Sequence, residues 1–440
     1  MKIYKASTII TLDEAGVIYD GALCVDDGMI IGVGEFNEMK IKYTEASVID
    51  VGDGVLTPGL INVHHHLYST FARGWDPDCS PRNFPEILEL IWWRLDRDLT
   101  EEDIYYSALS GLLDSVKCGV TTVIDHHSSQ RVIDGSLDLI SQAFDEVGLR
   151  GSVCFEVSDR EGEEALRRGV AENIRMINKL SKDHNSLVVP MFGFHASFTL
   201  SDDSLERVSQ ETQGLDCGYH FHLLEDSSDR VLSFSKYGAM PVERFEKYNL
   251  LNEKTIAAHG IHLLGGEISL LKDYGVFLAH CARSNMNNAV GVIDLSDFFD
   301  MGLSVGIGTD GMDGDVLSEA STALFIAKHN SEDANVGFEA VTESLLHLGY
   351  GFYNKISGLR IGKIAPDYKA DFVLWDYNPP TEITNDNYKA HYLFGLAHTV
   401  AKSVWVDGKP IIDNMKFVSI DSGAIKSHSR KLSRELWRRL

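Results

Sequence analysis

The chain has 440 residues, and its hydrophobic fraction of 44% is ample for a large core. It carries 40 Lys and Arg residues against 65 Asp and Glu residues, which leaves a formal net charge of −25. An acidic surface lacks the basic footprint that nucleic acids and anionic membranes require, so neither is expected as a partner.

The cysteines indicate the compartment. Six of them are scattered along the sequence, and no two form a Cys-x-x-Cys pair. This usage is typical of reduced thiols and not of a disulfide scaffold. The first residues, MKIYKASTII, lack the pattern of a secretory signal, and no apolar run reaches the length of a membrane span. We therefore expect a cytoplasmic protein.

The two ends of the chain share a texture of short apolar strands and tight turns. A hairpin signal, Asp-Asp-Gly, stands at 26–28, and a similar Asp-Gly turn stands at 407–408. We predict that residues 1–57 and 356–440 form one composite β-domain, a small sandwich that flanks the rest of the chain. The apolar residues of the tail 428–440 repeat at helical spacing, which predicts a docked C-terminal helix.

Residues 58–355 alternate apolar runs with amphipathic helical stretches. Eight such runs occur: Gly59–Val63, Val120–Asp125, Gly151–Val157, Leu187–Phe194, Gly218–Leu223, Thr255–His259, Val276–His280 and Leu303–Asp310. Continuous apolar strands between helices are typical of a parallel sheet covered on both faces, and eight units predict a closed (β/α)8 TIM barrel of the α/β class. An open sheet and a dehydrogenase are disfavoured because no Gly-x-Gly-x-x-Gly follows the first strand.

Polar residues cluster where these predicted strands end. Five imidazoles and two carboxylates follow or close four of the strands: His64, His66, His220, His222, Glu225, His259 and Asp310. In a barrel of this type the catalytic groups lie at the carboxyl ends of the strands. Because buried polar groups without partners destabilise a fold, their convergence on one rim indicates a shared function.

Three imidazoles and one carboxylate, with a position left open, suit a catalytic divalent metal ion. We predict that His64, His66, His222 and Asp310 bind one such ion, either Zn²⁺, which we favour, or Fe²⁺. His259 could instead belong to a second metal site. Such a site usually needs a bridging lysine at the end of strand four, and that strand offers none.

The motifs carry a family resemblance that spans nearly the whole chain. PGLINVHHHLYSTFARG, HFHLLE, AAHG, HCARSN and GTDG occur in this order on strands one, five, six, seven and eight. Together they resemble the amidohydrolase superfamily, in its cytosine/guanine deaminase and chlorohydrolase branch. GKIAPDYKADFVLWD resembles the flanking β-domain of that family. LIWWRLDRDLT, VIDHHSS and HCARSNMNN are similar to the SsnA-type aminohydrolases, a group associated with purine catabolism.

The resemblance implies a metal-dependent aminohydrolase that releases ammonia from a small N-heterocycle, purine-like or pterin-like. The residues and the resemblance assign the same roles. Water activated by the metal attacks an sp² ring carbon, and Asp310 helps to deprotonate that water. Glu225 is the expected proton shuttle, and His259 orients the water and stabilises developing charge.

Further residues are candidates for substrate binding. His195, after strand four, resembles a substrate-contacting position, although a loop-capping histidine is the alternative. The planar guanidinium of Arg283 could donate hydrogen bonds to a carbonyl or carboxylate of the substrate. The alternative is that it forms a salt bridge within the rim. Of the pair His126 and His127, only one can face the pocket, and we take His127. Trp92 lies in the long first loop and could stack on a planar ring or pack in the core.

Other functions stay open at this point. The same residues would serve a hydrolase that opens a cyclic amide, or a chlorohydrolase. A non-catalytic scaffold on the same fold is the alternative of another class, although such proteins typically lose the metal ligands. The family resemblance also makes a homodimer or a larger homo-oligomer an open expectation.

Overall fold

The structure is a computed structural model that describes residues 1–183 and 185–440. Its strands, in chain order, are β1 Lys2–Ile10, β2 Val17–Asp26, β3 Met29–Glu35, β4 Ser47–Asp50, β5 Val55–Pro58, β6 Leu60–His65, β7 Val120–Asp125, β8 Arg150–Val153, β9 Val188–Pro190, β10 Phe192–Gly193, β11 Tyr219–Leu223, β12 Ile256–His259, β13 Phe277–His280, β14 Val305–Ile307, β15 Phe372–Trp375, β16 Ala401–Val406, β17 Lys409–Asp413 and β18 Lys416–Phe417.

The helices, in the same order, are α1 Phe36–Lys42, α2 Phe84–Ile87, α3 Trp93–Asp98, α4 Glu101–Lys117, α5 Ser136–Val147, α6 Glu163–Leu180, α7 Asp202–Glu211, α8 Ser227–Tyr237, α9 Pro241–Lys247, α10 Gly265–Asp273, α11 Ala282–Asn287, α12 Leu295–Asp300, α13 Val316–Ser331, α14 Phe338–Glu343, α15 Gly349–Ser357, α16 Tyr388–Phe394 and α17 Ser422–Arg439. Short 3₁₀ or π turns occupy Leu67–Ala72, Leu88–Trp92, Ser197–Thr199, Ser344–Leu348 and Leu396–His398.

The predicted barrel is confirmed, and each of the eight apolar runs contains a strand. Strands β6 to β9 and strands β10 to β14 pair in parallel in chain order. The fourth barrel strand consists of two pieces, β9 and β10, on either side of Met191. The barrel closes where the backbone N–H groups of Thr309 and Asp310 donate to the carbonyl of His64, at 3.0 and 2.9 Å. This closure brings the ends of strands one and eight together.

Several strands are shorter than their apolar runs. Strand β8 ends at Val153 and β14 ends at Ile307, although the runs continue for three or four residues. Beyond the ladder the backbone leaves the extended conformation, and Asp310 has a φ of 53°. His259, the last residue of β12, has a φ of 76°. Non-glycine residues seldom adopt positive φ, and such residues cluster at functional sites.

Both ends of the chain meet in one hydrogen-bonded sheet, as the sequence predicts. Its order is β18-β17-β16-β15-β5-β1-β2-β3, with β4 paired to β1. The predicted hairpin turn is present, with positive φ at both Asp27 and Gly28. Strand β5 lies between β1 and β15 and leads directly into the first barrel strand. The domain limits at 57/58 and 355/356 stay predictions.

A buried arginine links the terminal sheet to the barrel. Arg150, the first residue of β8, donates from Nε to Oδ2 of Asp371 at 2.5 Å and also contacts Asp407. Only 2% of the Arg150 side chain is exposed to solvent. A guanidinium is well suited to this place because it can satisfy two carboxylates at once.

The C-terminal helix α17 docks on the barrel and buries Ile425, Leu432 and Leu436 against helix α4. Its Trp437 donates a hydrogen bond from Nε1 to the carbonyl of Phe71, at 2.7 Å. None of the helices in the described part of the chain combines the length and the apolar character that crossing a bilayer requires.

Candidate active site

The four predicted metal ligands lie together at the carboxyl ends of β6, β11 and β14. Nε2 of His66 is 3.0 Å from Oδ1 of Asp310 and 3.1 Å from Nε2 of His222. Nε2 of His64 is 3.4 Å from the same carboxylate oxygen. Potential ligand atoms of His64, His222, His259 and Asp310 all lie within 4.8 Å of one another. Four donors thus surround one small volume.

The hydrogen bonds behind these rings show which nitrogens face that volume. Nδ1 of His66 lies 2.6 Å from the carbonyl of His126, and Nδ1 of His222 lies 3.1 Å from the carbonyl of His195. Each Nδ1 must therefore carry the proton, so each Nε2 presents a lone pair. Two lone pairs 3.1 Å apart repel unless a positive charge lies beside them.

The same volume contains an unsatisfied ring nitrogen. Nε2 of His64 is buried and has no hydrogen-bond partner among the described residues. Buried polar atoms without a partner are rare and costly, and a bound ion accounts for them. The three imidazoles and the carboxylate therefore fit a divalent metal ion.

Asp310 is held in an ionised form. Burial alone would raise its pKa, but the imidazoles of His64 and His66 beside it outweigh that effect and hold the pKa of Asp310 well below its usual range. Its second oxygen, Oδ2, accepts a hydrogen bond from Oγ of Ser284 at 2.5 Å. The carboxylate thus keeps one oxygen for the cluster and uses the other for its own support.

Glu225 and His259 lie side by side next to this cluster. Nε2 of His259 is 3.4 Å from Oε2 of Glu225, and its Nδ1 is held by Oδ1 of Asn285 at 2.9 Å. Asn288 donates from Nδ2 to Oε1 of Glu225 at 3.2 Å. Burial raises the pKa of Glu225 above its usual range, although the charge of His259 opposes the shift. A carboxyl group with a raised pKa can both give and take a proton near neutral pH.

A cavity of about 40 Å³ opens beside the cluster. It is lined by aromatic, apolar and acidic side chains: His66, Tyr68, Ser69, Phe84, Leu88, Trp92, Trp93, Asp96, Glu156, His195, His222, Glu225, Asn288, Asp310 and Gly311. The structure thus brings two of the predicted substrate-binding residues, His195 and Trp92, to the cavity wall.

Arg283 and His127 are not brought to the cavity. Nε of Arg283 donates to Glu319 at 2.5 Å, and its Nη2 donates to Asp313 at 2.9 Å, so the guanidinium is fully engaged in the rim. His127 packs between the rings of Tyr68 and Phe155. A direct contact of either residue with a substrate stays a prediction, and neither residue lines the cavity.

His126 is the member of the histidine pair that faces the centre. Its ring centroid is 4.8 Å from that of His222, whereas the backbone N–H of His127 pairs with strand-three residue Cys154. The alternation of side chains beyond β7 therefore turns His126 inward and His127 outward.

Sequence reasoning missed two acidic residues of the cavity wall, Asp96 and Glu156. Glu156 was hidden inside the apolar run Gly151–Val157, which predicts a strand beyond the observed end at Val153. Asp96 lies in helix α3 of the first loop, inside the motif LIWWRLDRDLT, which assigns no role to this acid. A stricter application of the strand-end rule to the third strand would have found Glu156.

Comparison with known proteins agrees with this geometry. The model of the amidohydrolase family matches residues 55–411. A 5-methylthioadenosine/S-adenosylhomocysteine deaminase of Desulforudis audaxviator is 28% identical over 430 residues, which covers 96% of each chain. A 5'-deoxyadenosine deaminase of Methanosarcina barkeri is 26% identical and covers 99% of this chain and 98% of its own.

Solved structures agree as well. A zinc-bound adenosine deaminase from Xanthomonas campestris superposes with a TM-score of 0.84 at 23% identity, covering 100% of this chain and 98% of its own, which shows a shared fold. The resemblance carried by the sequence motifs is confirmed. The chain belongs to the amidohydrolase family and is a hydrolase that acts on carbon–nitrogen bonds other than peptide bonds.

Proposed function

We propose that the protein is a metal-dependent deaminase that releases ammonia from an aminopurine or a similar small N-heterocycle. The observation that carries the proposal is the convergence of three imidazoles, of His64, His66 and His222, and the Asp310 carboxylate on one volume. Glu225 and His259 lie beside it. The names of the relatives support the substrate class, since they deaminate adenosine derivatives.

His64, His66, His222 and Asp310 are the residues that would hold the ion, and zinc is the metal we favour. When bound, a divalent ion supplies the Lewis acidity that makes water a nucleophile near neutral pH. The cluster is buried, with only 8% of Asp310 exposed, so water has access only from the cavity. This restriction protects the reacting centre from bulk solvent.

The chain's own residues would handle the protons. Glu225 takes a proton from water, passes it to a ring nitrogen and later helps to protonate the departing amine, so that ammonia leaves as the carbon–nitrogen bond breaks. His259, held at Nδ1 by Asn285, turns its Nε2 towards Glu225, where it orients the attacking water. Asp310, ionised and supported by Ser284, can accept the second proton of that water.

The test is a screen of the metal-loaded protein against purines, pterins and pyrimidines, with ammonia and the ultraviolet spectrum followed together. Glu225→Gln should keep the metal and lose about 10²- to 10⁴-fold in kcat, because the shuttle can no longer transfer a proton. Glu206→Gln, on the exposed face of α7, is the control. Unchanged kcat in Glu225→Gln would remove the assignment.

The same screen separates the competing functions. Loss of the ring chromophore without ammonia indicates opening of a cyclic amide, and chloride release from chlorinated rings indicates a chlorohydrolase. A purified protein without metal and without turnover supports the scaffold. Cytoplasmic location is part of the proposal, since all six cysteines lie in the described chain and are free thiols.

A further inference from the structure

Two carboxylates stand at opposite ends of a row of imidazoles in the cavity wall. The ring centroids of His195 and His222 are 5.3 Å apart, and those of His222 and His259 are 5.6 Å apart. Glu225 lies at the His259 end, whereas Glu156 lies at the His195 end, with a carboxylate oxygen within 4.8 Å of nitrogens of both His195 and His222. A ring held over His222 would thus meet one acid on each side.

The Glu156 carboxylate has no donor of its own. Only 4% of the side chain is exposed, and no described residue donates a hydrogen bond to it by distance and angle. Nδ1 of His126 lies 3.4 Å away but forms no aligned hydrogen bond, and Nη2 of Arg160 lies 3.8 Å away. A buried carboxylate without hydrogen-bond donors lowers the stability of the fold. A donor in the cavity would therefore bind to it favourably.

Arg160 cannot satisfy Glu156 because its donors are used elsewhere. Its Nη1 donates to Asp96 at 3.2 Å, and its Nη2 contacts the other oxygen of Asp96 and donates to Ser128 at 3.0 Å. Its Nε donates to Ser158 at 3.2 Å. Two carboxylates share one guanidinium on this side of the cavity, which favours a hydrogen-bond donor over an acceptor in the substrate.

We propose that Glu156 is a specificity-determining residue that accepts a hydrogen bond from an N–H group on the edge of the heterocycle opposite Glu225. Arg160 and Asp96 hold the acid from behind and do not contact the ring. The preferred substrates are therefore rings that carry such an N–H, and rings alkylated at that nitrogen are poor ones. This inference rests on the proposed deaminase function and narrows its substrate class.

The test is a methyl scan combined with a substitution. Adenine, guanine and their singly N-methylated isomers are compared with the zinc-loaded full-length protein, by kcat/KM for ammonia release and by calorimetric binding. In the wild type, the kcat/KM of one methyl isomer should be about 100-fold or more below that of the parent ring. A site built to accept a hydrogen bond from an N–H rejects the analogue that lacks it. Glu156→Gln keeps one acceptor oxygen but loses the charge, so its kcat/KM for the parent ring should fall and its preference for that ring over the isomer should shrink.

Glu156→Asp keeps the charge but withdraws the carboxylate by one methylene, so its methyl selectivity should fall between those of the wild type and Glu156→Gln. It also carries the test if the Gln variant does not fold. Glu164→Gln, on an exposed side chain of the same region, is the matched control and should keep the wild-type selectivity. Metal content is measured for every variant.

The role of Glu156 would be overturned if a folded, metal-loaded Glu156 variant kept the methyl selectivity of the wild type. It would also be overturned if both variants lost the metal, or if the wild type showed no methyl selectivity. Ammonia release tests the deaminase proposal separately. Ring binding with the expected selectivity but without ammonia overturns only that proposal, and unchanged selectivity with ammonia release overturns only the role of Glu156.

Discussion

At the residue scale, each imidazole of the centre is supported from behind by a hydrogen bond that decides which nitrogen faces the cavity. Backbone carbonyls do this for His66 and His222, and a side-chain amide does it for His259. Such supporting contacts fix the tautomer and the ring orientation. The centre is therefore organised before an ion or a substrate arrives.

Removal of the metal should lower stability, because the ion binds the folded chain and relieves the repulsion between His66 and His222. An ion present at a thousand times its Kd would stabilise the fold by about 4 kcal/mol. We expect a chelator to lower Tm and added zinc to restore it. His222→Ala should show little response to either. A wild-type Tm that changes with neither the chelator nor added zinc would contradict the metal centre.

Asn285 is a positioning residue for His259. Its side chain is fully buried, and Asn285→Ala frees the imidazole to rotate or to change tautomer. We expect kcat to fall about 10- to 100-fold, the usual cost of losing a supporting contact, while the metal content stays the same. Asn287→Ala, exposed on the same helix, should have no effect. A rise in KM alone would instead indicate a binding role.

The four ligand positions could be predicted because strand alternation places His64 and His66 on one face and because strand ends meet at one rim. Asn288 could not, since it follows a short helix of the rim, where no strand register fixes the direction of a side chain. Glu156 could be found only from the end of the third strand, which the apolar run Gly151–Val157 obscures. For the pair His126 and His127 the sequence predicts His127, whereas the structure turns His126 towards the centre.

At the element scale, helix α6 ties together strands three and four. Asn173, buried on this helix, accepts from the backbone N–H of Phe155 at 2.8 Å and donates to the carbonyls of Phe155 and Gly193, at 2.8 and 3.2 Å. These backbone groups directly precede Glu156 and flank the approach to His195. One amide thus replaces ladder bonds that the split fourth strand does not supply.

Asn173→Leu should therefore destabilise the barrel by about 3 kcal/mol, because several buried backbone groups would lose their partners. The midpoint of urea unfolding should fall, and the methyl selectivity assigned to Glu156 should weaken with it. Asn178→Leu, on the exposed face of the same helix, is the control. Equal midpoints for the two variants would exclude this role of Asn173.

At the scale of the whole molecule, the barrel and the terminal sheet were both predictable from the sequence pattern. Eight apolar runs alternate with helical stretches in the barrel, whereas short strands and tight turns mark the two ends. The contacts between them were not, because a single arginine beside an apolar run gives no indication of its partners. Arg150 directly precedes the run Gly151–Val157, yet it forms the buried link to Asp371 and Asp407.

Arg150→Met would leave Asp371 buried without its cation, with only 3% of that residue exposed. We expect a loss of about 3 to 5 kcal/mol in the free energy of unfolding, as for other buried pairs that lose one partner. Urea unfolding followed by tryptophan fluorescence measures it. Arg167→Met, which breaks only the exposed pair with Glu164, should change stability by less than about 1 kcal/mol. Similar losses in both variants would refute the link.

The position of β5 has a consequence for biosynthesis. This strand anchors the start of the barrel, yet its neighbour Trp375 is translated more than 300 residues after Val55. At about 5 to 20 residues per second, the ribosome needs on the order of half a minute to supply it. During that interval the nascent polypeptide carries an open β-edge, so a cell that makes this enzyme must shield the edge, with chaperones or with temporary partners inside the growing chain.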